Sequence, residues 1–94
     1  MASEPIGLFD SGIGGLSIMK EIRRLLPEED LIYVADSKYC PYGEKTSEEI
    51  IERSISITKF LISKGVKLIV VACNTASIAA LQILRDNFDL PFVG

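Results

Sequence analysis

Cys73 follows five apolar residues, Leu68-Ile69-Val70-Val71-Ala72, and precedes Asn74 and Thr75. After a buried strand a lone cysteine is ordinarily an inert core residue. Two features here point the other way. Asn74 and Thr75 bring hydrogen-bonding groups beside the sulfur, and the start of a following helix presents free backbone N–H groups and the positive end of its dipole. Both favour a thiolate, the form of cysteine that serves as base or nucleophile. Two familiar thiol chemistries do not fit. A C-x5-R phosphatase loop needs Arg at position 79, which is Ala, and a cysteine hydrolase needs a histidine base in a chain that has none. Cys40 is not a redox partner, because Ala76 stands where a C-x-x-C motif would have its second thiol. Cys40 reads as structural or incidental.

A second cluster is Asp10-Ser11-Gly12-Ile13-Gly14-Gly15. With Asp36 at the end of the next strand it imitates a dinucleotide fingerprint, but Ser17 occupies the third glycine position and Asp10 puts a carboxylate where a pyrophosphate would lie. The glycines allow close backbone approach to a small ligand, with amides available to an anionic group such as a carboxylate. A third cluster is Pro41-Tyr42-Gly43. Alone it is a turn. Its place beyond a strand makes it a candidate ligand loop, through the Gly43 amide and the Tyr42 backbone or hydroxyl.

The elements that must position these residues alternate along the chain. Pro5–Phe9 reads as a strand, the glycine turn follows, and Leu16, Met19, Ile22, Leu25 and Leu26 recur at helical spacing until Pro27. Leu31–Ala35 reads as a second buried strand. Thr46-Ser47-Glu48-Glu49 fits a capping box that opens a helix through Ile50, Ile51, Ser54, Ile57 and Leu61 to Gly65. Lys67–Ala72 is a third strand. Asn74 or Thr75 can cap a helix with Ile78, Leu81, Ile83 and Leu84 on its apolar face, and Leu90-Pro91-Phe92-Val93 begins a fourth strand. Continuous apolar strands alternating with helices predict a single α/β domain over residues 1–94, an open parallel sheet of about four strands with helices on both faces. Ligands of such sheets bind beyond the carboxyl ends of the strands. All three clusters fall there, so one cleft is expected to hold them.

The bulk numbers narrow the classes of partner. Ten basic and thirteen acidic residues, interspersed over 94 positions for a net charge of −3, provide no basic stripe for nucleic acid. No apolar run is long enough to cross a membrane, and Met-Ala-Ser-Glu-Pro is not a secretory leader, which makes the cytoplasm the expected compartment. The chain stops as its fourth strand begins, so it is expected to be the opening part of a longer protein.

Three segments in this order, Phe9-Asp10-Ser11-Gly12-Ile13-Gly14-Gly15-Leu16, Pro41-Tyr42-Gly43 and Ala72-Cys73-Asn74-Thr75-Ala76, resemble glutamate racemase of the aspartate/glutamate racemase superfamily. That resemblance implies a cofactor-independent, metal-free isomerase that interconverts L- and D-glutamate and supplies D-glutamate for peptidoglycan. Two thiols serve opposite faces of the substrate, and Cys73 matches the first. By the same matching Asp10, Ser11, Tyr42, Gly43, Asn74 and Thr75 bind substrate. The family is built of two similar α/β halves in pseudo-symmetry, the second thiol coming from a Cys-Thr-His segment of the later half. This sequence has no such segment, so by itself it is expected to racemise little or nothing unless two copies pair or the later half joins it. Alternatives are a one-thiol decarboxylase or aspartate racemase of the same superfamily, and a non-catalytic module that holds a dicarboxylate or nucleotide.

Overall fold

The computed structural model describes residues 4–12, 15–37 and 44–94. Four strands and three helices alternate: β1 (Ile6–Asp10), α1 (Gly15–Leu25), β2 (Leu31–Ala35), α2 (Ser47–Ser63), β3 (Leu68–Val71), α3 (Asn74–Asn87) and β4 (Phe92–Val93). The strands form one parallel sheet in the order β2-β1-β3-β4. The chain steps one way from β1 to β2 and then back across β1 to β3. With right-handed crossovers that reversal puts α1 on one face and α2 with α3 on the other. The expected α/β architecture is the observed one.

The two faces are unequally packed. On the α2–α3 side Phe9, Ile69, Val71 and Phe92 from the sheet meet Ile50, Ile57 and Leu61 of α2 and Ala76, Ala80 and Leu84 of α3. Each fully buried large side chain of this kind stabilises the fold by about 1.5–3 kcal/mol. Gly7 belongs to this face too, and a Cβ there would press on Leu61 and Val66. On the α1 side Ile6 and Leu8 are buried, but Leu16, Leu25 and Leu26 of the helix and its end remain exposed, and only Gly15 of α1 is buried.

Local signals account for most element ends. The Thr46 hydroxyl accepts the Glu49 amide at 3.1 Å while the Glu49 carboxylate accepts the Thr46 amide at 2.9 Å, which completes the capping box. Those bonds, the backbone one foremost, hold the Glu49 carboxyl below the usual carboxylate range. Beyond the C-cap of α2, Gly65 takes φ +81°, a left-handed conformation that suits glycine. Arg23 donates to the Pro27 and Glu29 carbonyls and so closes the turn after α1.

Two expectations change. β2 is an edge strand and only half-buried along most of its length, because among the described residues no strand pairs with its outer side. The buried face of α3 is Ala76, Ala80 and Leu84, and Ile78 is 89% exposed. α3 lies along α2 as well as over the sheet, and small residues at i and i+4 let the two helices approach. Of the expected face Leu84 is buried and Leu81 packs against the core, so reading only large apolar side chains misplaces Ile78 and overlooks Ala76 and Ala80.

Candidate functional site

The reversal of chain direction puts the switch point of the sheet at the carboxyl ends of β1 and β3, the place where parallel sheets of this kind admit ligands. Backbone bonds hold this edge. The Ala72 amide donates to the Phe9 carbonyl at 2.8 Å, and the Asp36 amide donates to the Asp10 carbonyl at 2.9 Å. The end of β1 is thereby tied on both sides.

Ser11 and Cys73 follow β1 and β3 at this switch point. The Cys73 Sγ donates toward the Ser11 Oγ at 3.6 Å, within the longer range of sulfur hydrogen bonds. Both residues are half-buried, so their polar atoms are shielded but reachable. Cys73 itself is the N-cap of α3, with an extended backbone (φ −121°, ψ 121°) and no side-chain cap bond. Asn74 and Thr75, expected as caps, are the first two helical residues instead. The Cys73 carbonyl accepts the Ser77 amide at 2.9 Å and begins the helical ladder. The sulfur therefore lies at the amino end of a fourteen-residue helix, where the positive end of the helix dipole favours negative charge.

Asp10 is turned inward. It is 2% exposed, its Oδ1 accepts the Gly12 amide, and its Oδ2 accepts the Gly15 amide and, at 3.0 Å, the Tyr33 hydroxyl. Two amides expected to face a ligand are thus occupied by the chain's own carboxylate. Gly15 must be glycine for this, since a Cβ there would run into the carboxylate and come within 3.0 Å of the Tyr33 ring. The Tyr33 hydroxyl also donates to the Gly12 carbonyl at 3.0 Å. Burial, then the hydrogen bond and the charge of Asp10, push the Tyr33 phenol up to about 12.

Asp36, at the end of β2, is 7% exposed and bound in a fork by Arg53 of α2 at 2.9 and 3.0 Å. A carboxylate so held is ill placed to read a ribose, which weighs against the dinucleotide resemblance of the glycine turn. The structure thus brings Asp10, Ser11, Cys73, Asn74 and Thr75 to one edge. Cys40, Pro41, Tyr42 and Gly43 lie outside the described residues. Sequence reasoning missed Tyr33 and Arg53. Tyr33 is the one polar-tipped side chain in Leu31–Ala35, two positions before the end of that strand, and a buried carboxylate on the adjoining strand calls for such a donor.

No protein-family model matches the chain. Among curated proteins, glutamate racemase of Herpetosiphon aurantiacus is 55% identical over all 94 residues, which span 37% of that protein. The chain is homologous to the amino-terminal third of glutamate racemase. Solved structures agree in fold. Glutamate racemase from Thermus thermophilus, in complex with beta-chloro-D-alanine, superposes with a TM-score of 0.93 at 47% identity, over 97% of this chain and 36% of that one. Glutamate racemase from Francisella tularensis, in complex with D-glutamate, gives a TM-score of 0.92 at 43% identity, over 98% of this chain and 35% of that one. The chain spans about a third of the length of the glutamate racemases it matches.

Proposed function

We propose that this chain belongs to the first, thiol-bearing α/β half of a two-domain glutamate racemase, and that Cys73 exchanges a proton with the α-carbon of glutamate. The observation that carries this reading is the Cys73 thiol 3.6 Å from Ser11 at the switch point of the sheet and at a helix N-terminus. The racemase relatives, one of which holds D-glutamate, supply the substrate.

In this reading the Cys73 thiolate takes the α-hydrogen as a proton, the C–H electron pair passing into the substrate carboxylate as an enediolate-like carbanion. A second thiol, from sequence beyond the third represented here, returns a proton to the opposite face. The pair then exchange roles for the reverse reaction. Ser11, Asn74 and Thr75 bind substrate beside the thiol, Tyr42 and Gly43 receive a carboxylate, and Asp10 serves substrate through the turn it organises. No cofactor or metal takes part. The reaction supplies D-glutamate for peptidoglycan in the cytoplasm, and the 94-residue chain alone needs the later half, or a second copy, for inversion.

The test is Cys73→Ala in the full-length protein carrying this sequence, followed by circular dichroism of L-glutamate. Loss of a positioned acid–base group lowers kcat by about 10²–10⁴-fold. Activity within threefold of wild type would sink the proposal.

A further inference from the structure

Ser11 has its two chain neighbours held by one side chain from the adjoining strand. Tyr33 reaches Asp10 Oδ2, before Ser11, and the Gly12 carbonyl, after it, both at 3.0 Å. A single hydroxyl hydrogen spans two acceptors, and one of them is an ionised group, so the bond to Asp10 is charge-assisted. Asp10 in turn grips the amides of Gly12 and Gly15. Gly12 and Gly15, the first residue of α1, are therefore tied through Asp10 to the phenol, while the Ser11 side chain is left to meet Cys73.

We infer that Tyr33 is a positioning residue of the site: by bridging Asp10 and the Gly12 carbonyl its hydroxyl fixes the turn that holds Ser11 against the Cys73 thiol. The inference rests on the reading of Cys73 as the proton-transfer group. It assigns Tyr33 no contact with substrate. The ring side packs where Gly15 leaves room, a Cβ there falling 3.0 Å from its Cε1. Burial and the adjacent carboxylate keep the phenol protonated well above neutrality, so it remains a donor under all conditions in which a thiol would work.

Tyr33→Phe keeps the ring and deletes only the hydroxyl. In the full-length protein carrying this sequence, wild type, Y33F, S11A and the double variant form a cycle, assayed well below the melting temperature of the weakest. Two readouts are taken, glutamate racemisation and the rate at which iodoacetamide alkylates Cys73, followed on the Cys73 peptide by mass spectrometry so that Cys40 does not interfere. Losing a charge-assisted bond predicts that Y33F alone lowers kcat about tenfold. In the S11A background the same change has less than about a twofold effect, because the residue it positions is already gone. The alkylation rate shifts with Y33F in the Ser11 background and stays within about twofold in the S11A background. A purely structural role lowers melting temperature and acts equally in both backgrounds, which overturns the inference, as does a Y33F protein indistinguishable from wild type in both readouts. A wild-type protein that racemises no glutamate defeats the functional reading instead, and the alkylation cycle then still decides the role of Tyr33.

Discussion

Asp10 and Asp36 sit at the same edge of the sheet, on neighbouring strands joined by a backbone bond of 2.9 Å, and both are buried. Their partners differ. Asp10 is met by two backbone amides of its own turn and by a phenol from the adjoining strand, all neutral. Asp36 is met by the guanidinium of Arg53, whose side chain is 31% exposed. The first arrangement shapes a loop, since two of the three donors are amides of the segment being shaped. The second fastens the end of β2 to α2.

The largest expected difference follows from removing the carboxylates. Asp10→Ala strands the Gly12 and Gly15 amides, removes one of the two acceptors of Tyr33 and destabilises by about 3 kcal/mol, read as a lowered urea midpoint. Arg53→Ala leaves Asp36 without its guanidinium and is expected to take about 2 kcal/mol, less than a fully buried pair would lose because Arg53 is partly solvated. Asp36→Ala is milder, about 1 kcal/mol, since Arg53 can turn outward to water. Equal midpoints for Asp10→Ala and Asp36→Ala would erase the contrast.

The next effect is confined to alkaline solution. Tyr33 has its phenol raised, so its stabilising contribution is complete below about 10, the ordinary tyrosine value, and is lost as pH rises through about 12. Tyrosinate absorbance should show one late-titrating tyrosine that disappears in Tyr33→Phe. Titration of all three tyrosines near the ordinary value would refute the pairing with Asp10. The smallest effect belongs to the exposed capping box. Glu49 has its carboxyl lowered, so its contribution is present above the ordinary glutamate range and fades as pH falls through the lowered value. Glu49→Gln should flatten that acid limb in a melting-temperature profile and leave the neutral and alkaline limbs unchanged.

Much of the frame was legible in the residues. The apolar runs around Phe9 and Val70 announced parallel strands, Thr46 and Glu49 announced their capping box, and Gly65 its helix end. Asp10, Ser11 and Cys73 were also readable as sharing one edge, because parallel strands gather their carboxyl ends. What stayed hidden depends on which strands become neighbours. Nothing in the order of residues says that β1 lies between β2 and β3, so neither the Tyr33–Asp10 bond nor the inward turn of Asp10 could be foreseen. The Asp36–Arg53 fork was hidden for a related reason, since charges on α2 read as a solvated face. The alanine face of α3 escaped because methyl groups carry little hydrophobic signal, while Ile78 carries a strong one and faces outward.

That alanine face governs how far the thiol can wander. Cys73 is the last residue before α3, so its sulfur moves wherever the helix is pushed. Ala76 and Ala80 are essentially without exposed surface, and a larger residue at either would lift the helix like a shim under a beam. The tolerance of the thiol's location is thus set one and two turns away from it, by side chains too small to take part in any reaction.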